Sequence, residues 1–139
     1  MTQTRDTPSS ALALAHVVYA LHTAAILVGL FGSGSVIGSF VGSAPSIIAV
    51  ILNYATRGDA RGTWLESHYG WQIRTFWYAL AWVVFGTLVA LTWVAWMPTA
   101  DFLDRALVAL GIFFGLTLWL IYRIGAGWMR LSRHSAMPV

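Results

Sequence analysis

Four stretches of the chain are apolar on every face, and short polar segments separate them. The first runs roughly from Ala11 to Phe31 and the second roughly from Val36 to Tyr54, with only Gly32-Ser33-Gly34-Ser35 between them. A connection that short leaves no room for a soluble domain, so the second run returns antiparallel to the first and the pair predicts a helical hairpin. The third run starts near Thr75 and ends at Met97-Pro98-Thr99, and the fourth extends roughly from Phe102 to Ile124. Apolar runs of about twenty residues without a polar face require lipid rather than water around them. The pattern predicts an all-α fold, an integral membrane four-helix bundle with spans at about 11–31, 36–54, 75–97 and 102–124. A polar tail at 1–10 and a basic tail at 129–139 flank this transmembrane domain, which covers 11–128.

Local signals refine the boundaries. Ser9 and Ser10 can accept the free N–H groups of the first helix. Thr63-Trp64-Leu65-Glu66 has the spacing of a capping box, in which each side chain satisfies the other residue's backbone N–H. The third helix is therefore expected to start near Trp64 and to continue to Pro98, about 50 Å at 1.5 Å per residue. That exceeds a hydrocarbon core of about 30 Å, so its first turns are expected at headgroup level. Pro45 should bend the second span. Asp101 and Asp104 place carboxylates at the positive end of the fourth helix. Gly125-Ala126-Gly127 is expected to loosen the chain before Trp128-Met129-Arg130-Leu131-Ser132-Arg133, which should rest on the membrane surface.

Composition strengthens the membrane reading. Of 139 residues 58% are hydrophobic and only 9% charged, against about a quarter charged in soluble domains. The formal charge of +3 comes with eight basic residues, all of them arginine. Arg5, Arg57, Arg61, Arg74, Arg123, Arg130 and Arg133 fall at one end of the predicted bundle and Arg105 alone at the other. Positive residues stay on the cytoplasmic side, so both termini and the central loop are expected there. Tyr54, Trp64, Tyr69, Trp71, Trp77, Tyr122 and Trp128 near that end, with Trp93 and Trp96 near the other, match interfacial belts. Arginines beside apolar runs point to membrane topology and not to nucleic acid. The first run is longer than the apolar region of a signal peptide and is expected to be retained. With no cysteine there is no disulfide, thiolate metal site or C-x-x-C-H haem attachment.

Few residues offer chemistry. Gly34, Gly38 and Gly42 recur every four residues in the second span, a spacing that lets helix backbones approach closely. They form either a self-association face or a packing face within the chain. His22 near mid-span and His16 are intramembrane histidines, functional by default or else neutral and hydrogen-bonded to the second span. Bis-histidine haem ligation needs two histidines at one depth, which only His16 with His68, or His22 with its copy in a symmetric dimer, provides; no cofactor or metal is expected. The start of the third helix is the richest polar segment, with Glu66 on one face and His68, Gln72 and Phe76 on another. It reads as interfacial anchoring or as a polar ladder facing the bundle. No second carboxylate, H-E-x-x-H, G-x-S-x-G or phosphate loop accompanies it, so no catalytic residue is predicted.

At this segment the chain resembles a family of small bacterial four-helix membrane proteins of unknown function, distantly similar to the channel component of the chloroplast inner-envelope protein-import machinery. Glu66, His68 and Gln72 match its glutamate, histidine and asparagine or glutamine ahead of the third span, and the likeness covers about residues 12 to 128. Ser67 separates Glu66 from His68 here, and Gly70 replaces a bulkier residue. The resemblance implies a multi-pass protein of the bacterial inner membrane. The expected function is a non-enzymatic scaffold or accessory subunit of a membrane complex, with the lipid bilayer, a membrane protein or a second copy as partner. An oligomeric channel or translocation component is the alternative, and haem-linked electron transfer is the third reading.

Overall fold

The computed structural model describes residues 7–31, 36–96 and 101–138. They form α1 (Ser9–Phe31), α2 (Val36–Gly42), α3 (Ala44–Thr56), α4 (Glu66–Trp96) and α5 (Phe102–Ser132), with no strand among the described residues. The fold is all-α. Ser9–Phe31, Glu66–Trp93 and Leu110–Ser132 are long and apolar enough to cross a membrane, and Ala44–Thr56 is a shorter apolar helix.

The expected second span is two helices. The break falls at Ser43, whose backbone is extended, with φ −79° and ψ 148°. Its N–H still reaches Ser39 O at 3.0 Å, closing α2, and its own carbonyl accepts from Ser46 and Ile47 to open α3. Pro45 thus sits in the first turn of α3, where its missing N–H costs no intrahelical bond. Placing the proline there moves the interruption two residues upstream of it.

The 57–65 connection is a chain of tight turns, from Asp59 N–H to Thr56 O, Arg61 to Gly58, Thr63 to Ala60 and Glu66 to Thr63. Gly62 has φ +75°, a left-handed conformation that favours glycine. The capping box is realised differently from its sequence pattern. Thr63 Oγ1 accepts from Leu65 N–H at 3.2 Å and donates to Ala60 O, while a Glu66 carboxylate oxygen accepts from Gly62 N–H at 3.0 Å. Because the turns carry Ala60, Thr63 and Leu65 inward, α4 starts at Glu66, two residues later than expected.

A second departure concerns Gly125-Ala126-Gly127, which lies inside α5 instead of ending it. The physical reason is contact: a Cβ on Gly127 would lie 2.8 Å from Cε1 and Cζ of Tyr19. Glycine there admits the buried Tyr19 ring, and helix geometry is maintained by the residues around it. After Arg133, His134 adopts φ 53° and turns the chain back, so the tail folds over α4 rather than running away from it.

The core follows α1 along its length, while α4 and α5 contribute buried residues at one end. α1 presents Ala11, Ala15, Val18, Tyr19, His22, Ala25, Ile26 and Gly29 inward and touches the other four helices. Against it lie Ala49 and Asn53 of α3, Tyr69, Gln72 and Phe76 of α4, and Leu120, Ile124 and Leu131 of α5. Past Ala79 in α4 and before Leu120 in α5 no described residue is buried. Trp82, Phe85, Leu88, Leu91, Leu107, Leu110 and Phe114 are exposed there, an apolar surface far larger than a water-soluble monomer carries.

Candidate functional site

The polar side chains gather where the first three turns of α4 meet α1, α5 and the C-terminal tail. His68 is fully buried. Its Nε2 lies 2.9 Å from Ser135 O, a carbonyl that can only accept, so Nε2 carries the proton. In the neutral ring Nδ1 is then an acceptor, and the Tyr19 hydroxyl donates to it at 3.2 Å. Trp64 packs edge-on against the same imidazole with centroids 5.5 Å apart, and Trp128 stacks on Tyr19 at 6.4 Å. Trp128 Nε1 donates to His16 Nδ1 at 3.0 Å. Ser67 Oγ accepts from Met137 N–H at 2.9 Å, which pins the tail across the start of α4.

One turn apart on α4, Tyr69 and Gln72 reach α1. The Tyr69 hydroxyl donates to Ala11 O at 3.1 Å and Gln72 Nε2 donates to Ala15 O at 3.2 Å. Gln72 Oε1 is buried without a partner, as are both amide atoms of Asn53 on α3. Deeper along α1, His22 Nδ1 is 3.0 Å from Ser46 Oγ, and its ring stacks on Phe40 at 4.8 Å. His22 Nε2 and Ser43 Oγ are further buried polar atoms without partners.

The structure brings His68, Gln72 and His16 into one internal region and leaves Glu66 outside it. Glu66 is exposed and lines a shallow cleft of about 240 Å³ with Arg57, Arg61, Tyr69, Gly70 and Ile73. The separation follows from helix geometry, since positions 66 and 68 differ by about 200° around the axis. Gly34 lies outside the described residues and Gly38 is described only as part of α2; a Cβ on Gly42 would meet nothing within 4 Å. Among the described residues no three His, Asp or Glu side chains converge as metal ligands.

Sequence reasoning missed Tyr19, Asn53, the tail residues Ser135 and Met137, and the pairing of Trp71 with Arg123. Tyr19 carried a usable signal, because it lies on the α1 stripe four residues after Ala15 and three before His22. The tail carried none, since its hydrogen bonds to α4 use its own backbone atoms.

No protein-family model, curated protein or solved structure matches the chain. Function therefore rests on the chain's own geometry. The bonded polar groups act as struts between elements: His68, Tyr69 and Gln72 tie α4 to α1 and the tail, His22 ties α1 to α3, and Trp128 ties α5 to α1.

Proposed function

We propose that the protein is a four-span integral membrane protein that works without enzymatic chemistry, as a scaffold or accessory subunit of a bacterial inner-membrane complex. In this reading α2 and α3 together make the second span, and the arginine-rich end, with both termini, faces the cytoplasm. One observation carries the reading: among the described residues, the buried positions of α4 and α5 all lie toward that end, while their outer halves leave Trp82, Phe85, Leu88, Leu110 and Phe114 uncovered. A closed polar end with bare apolar helices beyond it suits docking beside another membrane protein. The resemblance at Glu66, His68 and Gln72, to a family distantly similar to a channel component, leans instead toward the second reading.

An oligomeric channel or translocation component is the second reading, favoured by the interrupted second span and the unpartnered His22 Nε2, Ser43 and Asn53 atoms beside it. Haem ligation fits poorly. Both ring nitrogens of His68 are engaged, His16 Nδ1 is held by Trp128, and His22 is buried inside its own chain, away from any copy.

Purification from native membranes in mild detergent, with crosslinking, tests the scaffold. A stoichiometric membrane partner is expected, with its recovery reduced by Phe85→Ala with Leu88→Ala. A chain that runs alone and gives conductance in reconstituted vesicles overturns the scaffold in favour of the channel.

A further inference from the structure

Arg123 sits on α5 about 10 Å inward of Arg130, seven residues at 1.5 Å each. Its guanidinium carbon lies 3.6 Å from the centroid of the Trp71 ring, so the two planes are in contact, with Trp119 at 5.5 Å and Tyr78 at 5.9 Å. The stack is locked from both sides. Trp71 Nε1 donates to Arg123 O at 3.0 Å, Arg123 Nε donates to Thr75 Oγ1 at 2.8 Å, and Thr75 donates on to Trp71 O at 2.7 Å. One edge of the guanidinium is thereby consumed. Among the described residues its two Nη groups have no hydrogen-bond partner, and the residue is half-buried. The charged and titratable groups acting on Arg123 are Arg74 and the tyrosines 19, 78 and 122, with no carboxylate among them.

A fixed cation fork held between helices, beside a second arginine and rimmed by aromatic rings, lacks only an oxyanion. Its surroundings say which kind. Tyr78 at its rim is exposed, and Trp82 and Phe85 continue the same face of α4 one and two turns further on, also exposed, so whatever reaches the fork also covers hydrocarbon surface. With Arg130 in the aqueous phase, a depth of about 10 Å is that of the phosphate layer or just beneath it. We propose that Arg123, stacked on Trp71 and assisted by Arg74, binds the phosphate of an anionic phospholipid whose acyl chains lie along the outer faces of α4 and α5. Guanidinium pairs with phosphate through two parallel N–H···O bonds, and the Thr75 and Trp71 contacts set that fork before the lipid arrives. The site rests on the membrane reading but not on the scaffold role.

Native mass spectrometry of the detergent-purified chain, titrated with phosphatidylglycerol and with phosphatidylcholine of matched acyl chains, tests it. The wild type is expected to prefer phosphatidylglycerol by about fivefold or more, the effect of one arginine close to an anionic headgroup. Arg123→Gln should erase most of that preference, and Arg123→Lys should retain part of it. Arg133→Gln, the same charge change at an exposed position with no ring contact, should keep most of it. Equal binding of the two lipids by the wild type, or equal loss in Arg123→Gln and Arg133→Gln, overturns the site. Displacement of bound lipid by millimolar inorganic phosphate also overturns it, in favour of a soluble oxyanion. If Arg123 serves only as a helix strut, Arg123→Gln lowers the melting temperature in lipid-free detergent and leaves the lipid preference intact, which refutes the proposal. Retention in carbonate-washed membranes reads the membrane assignment independently, so the two failures are distinguishable.

Discussion

Gly127→Ala tests whether Tyr19 is held as tightly as the geometry requires. In an isolated helix the change would stabilise by about 1 kcal/mol, because alanine loses less backbone entropy than glycine. At this position the new Cβ would lie 2.8 Å from two carbons of the Tyr19 ring, closer than van der Waals contact allows. The ring cannot retreat freely: it is fully buried, bonded through its hydroxyl to His68 and stacked on Trp128. Overpacking of this kind costs about 1–3 kcal/mol, and displacing the hydroxyl from His68 adds on the order of 1 kcal/mol. The balance is a net destabilisation of about 1–3 kcal/mol after the helix-propensity gain. Gly86→Ala, Gly111→Ala and Gly115→Ala provide the contrast, since a Cβ at those helical positions meets nothing within 4 Å. They should be neutral or stabilising by up to about 1 kcal/mol. Unfolding followed by circular dichroism in one detergent, on all four variants, reads the difference. A Gly127→Ala protein as stable as Gly86→Ala would refute the close Tyr19 contact.

Three further outcomes follow from the polar struts. Tyr19→Phe leaves the His68 Nδ1 acceptor without its donor and should destabilise by about 1–3 kcal/mol, read from the same unfolding curves; an unchanged curve would contradict the bond. A chain ending at His134 loses the Ser135 carbonyl and the Met137 cover, so His68 should react faster with diethylpyrocarbonate by peptide mass mapping, whereas unchanged reactivity would show that the tail does not shield it. Gln72→Leu gives up one bond to Ala15 but also removes a buried oxygen without a partner, so its stability should stay within about 1 kcal/mol of wild type; a larger loss would mean that Gln72 Oε1 has an acceptor role of its own.

The helices were legible because apolar runs without a polar face admit few structures. α1 at Ser9–Phe31 covers the run at 11–31, and α4 continues as one helix from Glu66 to Trp96 as the third run requires. Breaks inside the runs were harder to place. Pro45 signalled an interruption but not its position, because a proline occupies the first turn of a helix as readily as it kinks one. Gly125 and Gly127 read as a helix end, and only the tertiary contact with Tyr19 explains glycine at 127 within a continuous helix. Within the site, the periodicity that grouped His68 with Gln72 also put Glu66 on another face, and the structure keeps it exposed beside Arg57 and Arg61. Asn53 was lost in an apolar run because nothing local distinguishes a buried amide from a lipid-facing neighbour.

The proposed orientation, a chain crossing the membrane with its arginine-rich end in the cytoplasm, is open to cysteine accessibility because the protein has no cysteine of its own. Gly58→Cys lies in the 57–65 turns, and Asp101→Cys lies at the start of α5, the opposite end of α4. In intact inner-membrane spheroplasts a membrane-impermeant maleimide should label Asp101→Cys at once and Gly58→Cys only after permeabilisation. Labelling of both without permeabilisation, or of Gly58→Cys alone, would refute that orientation.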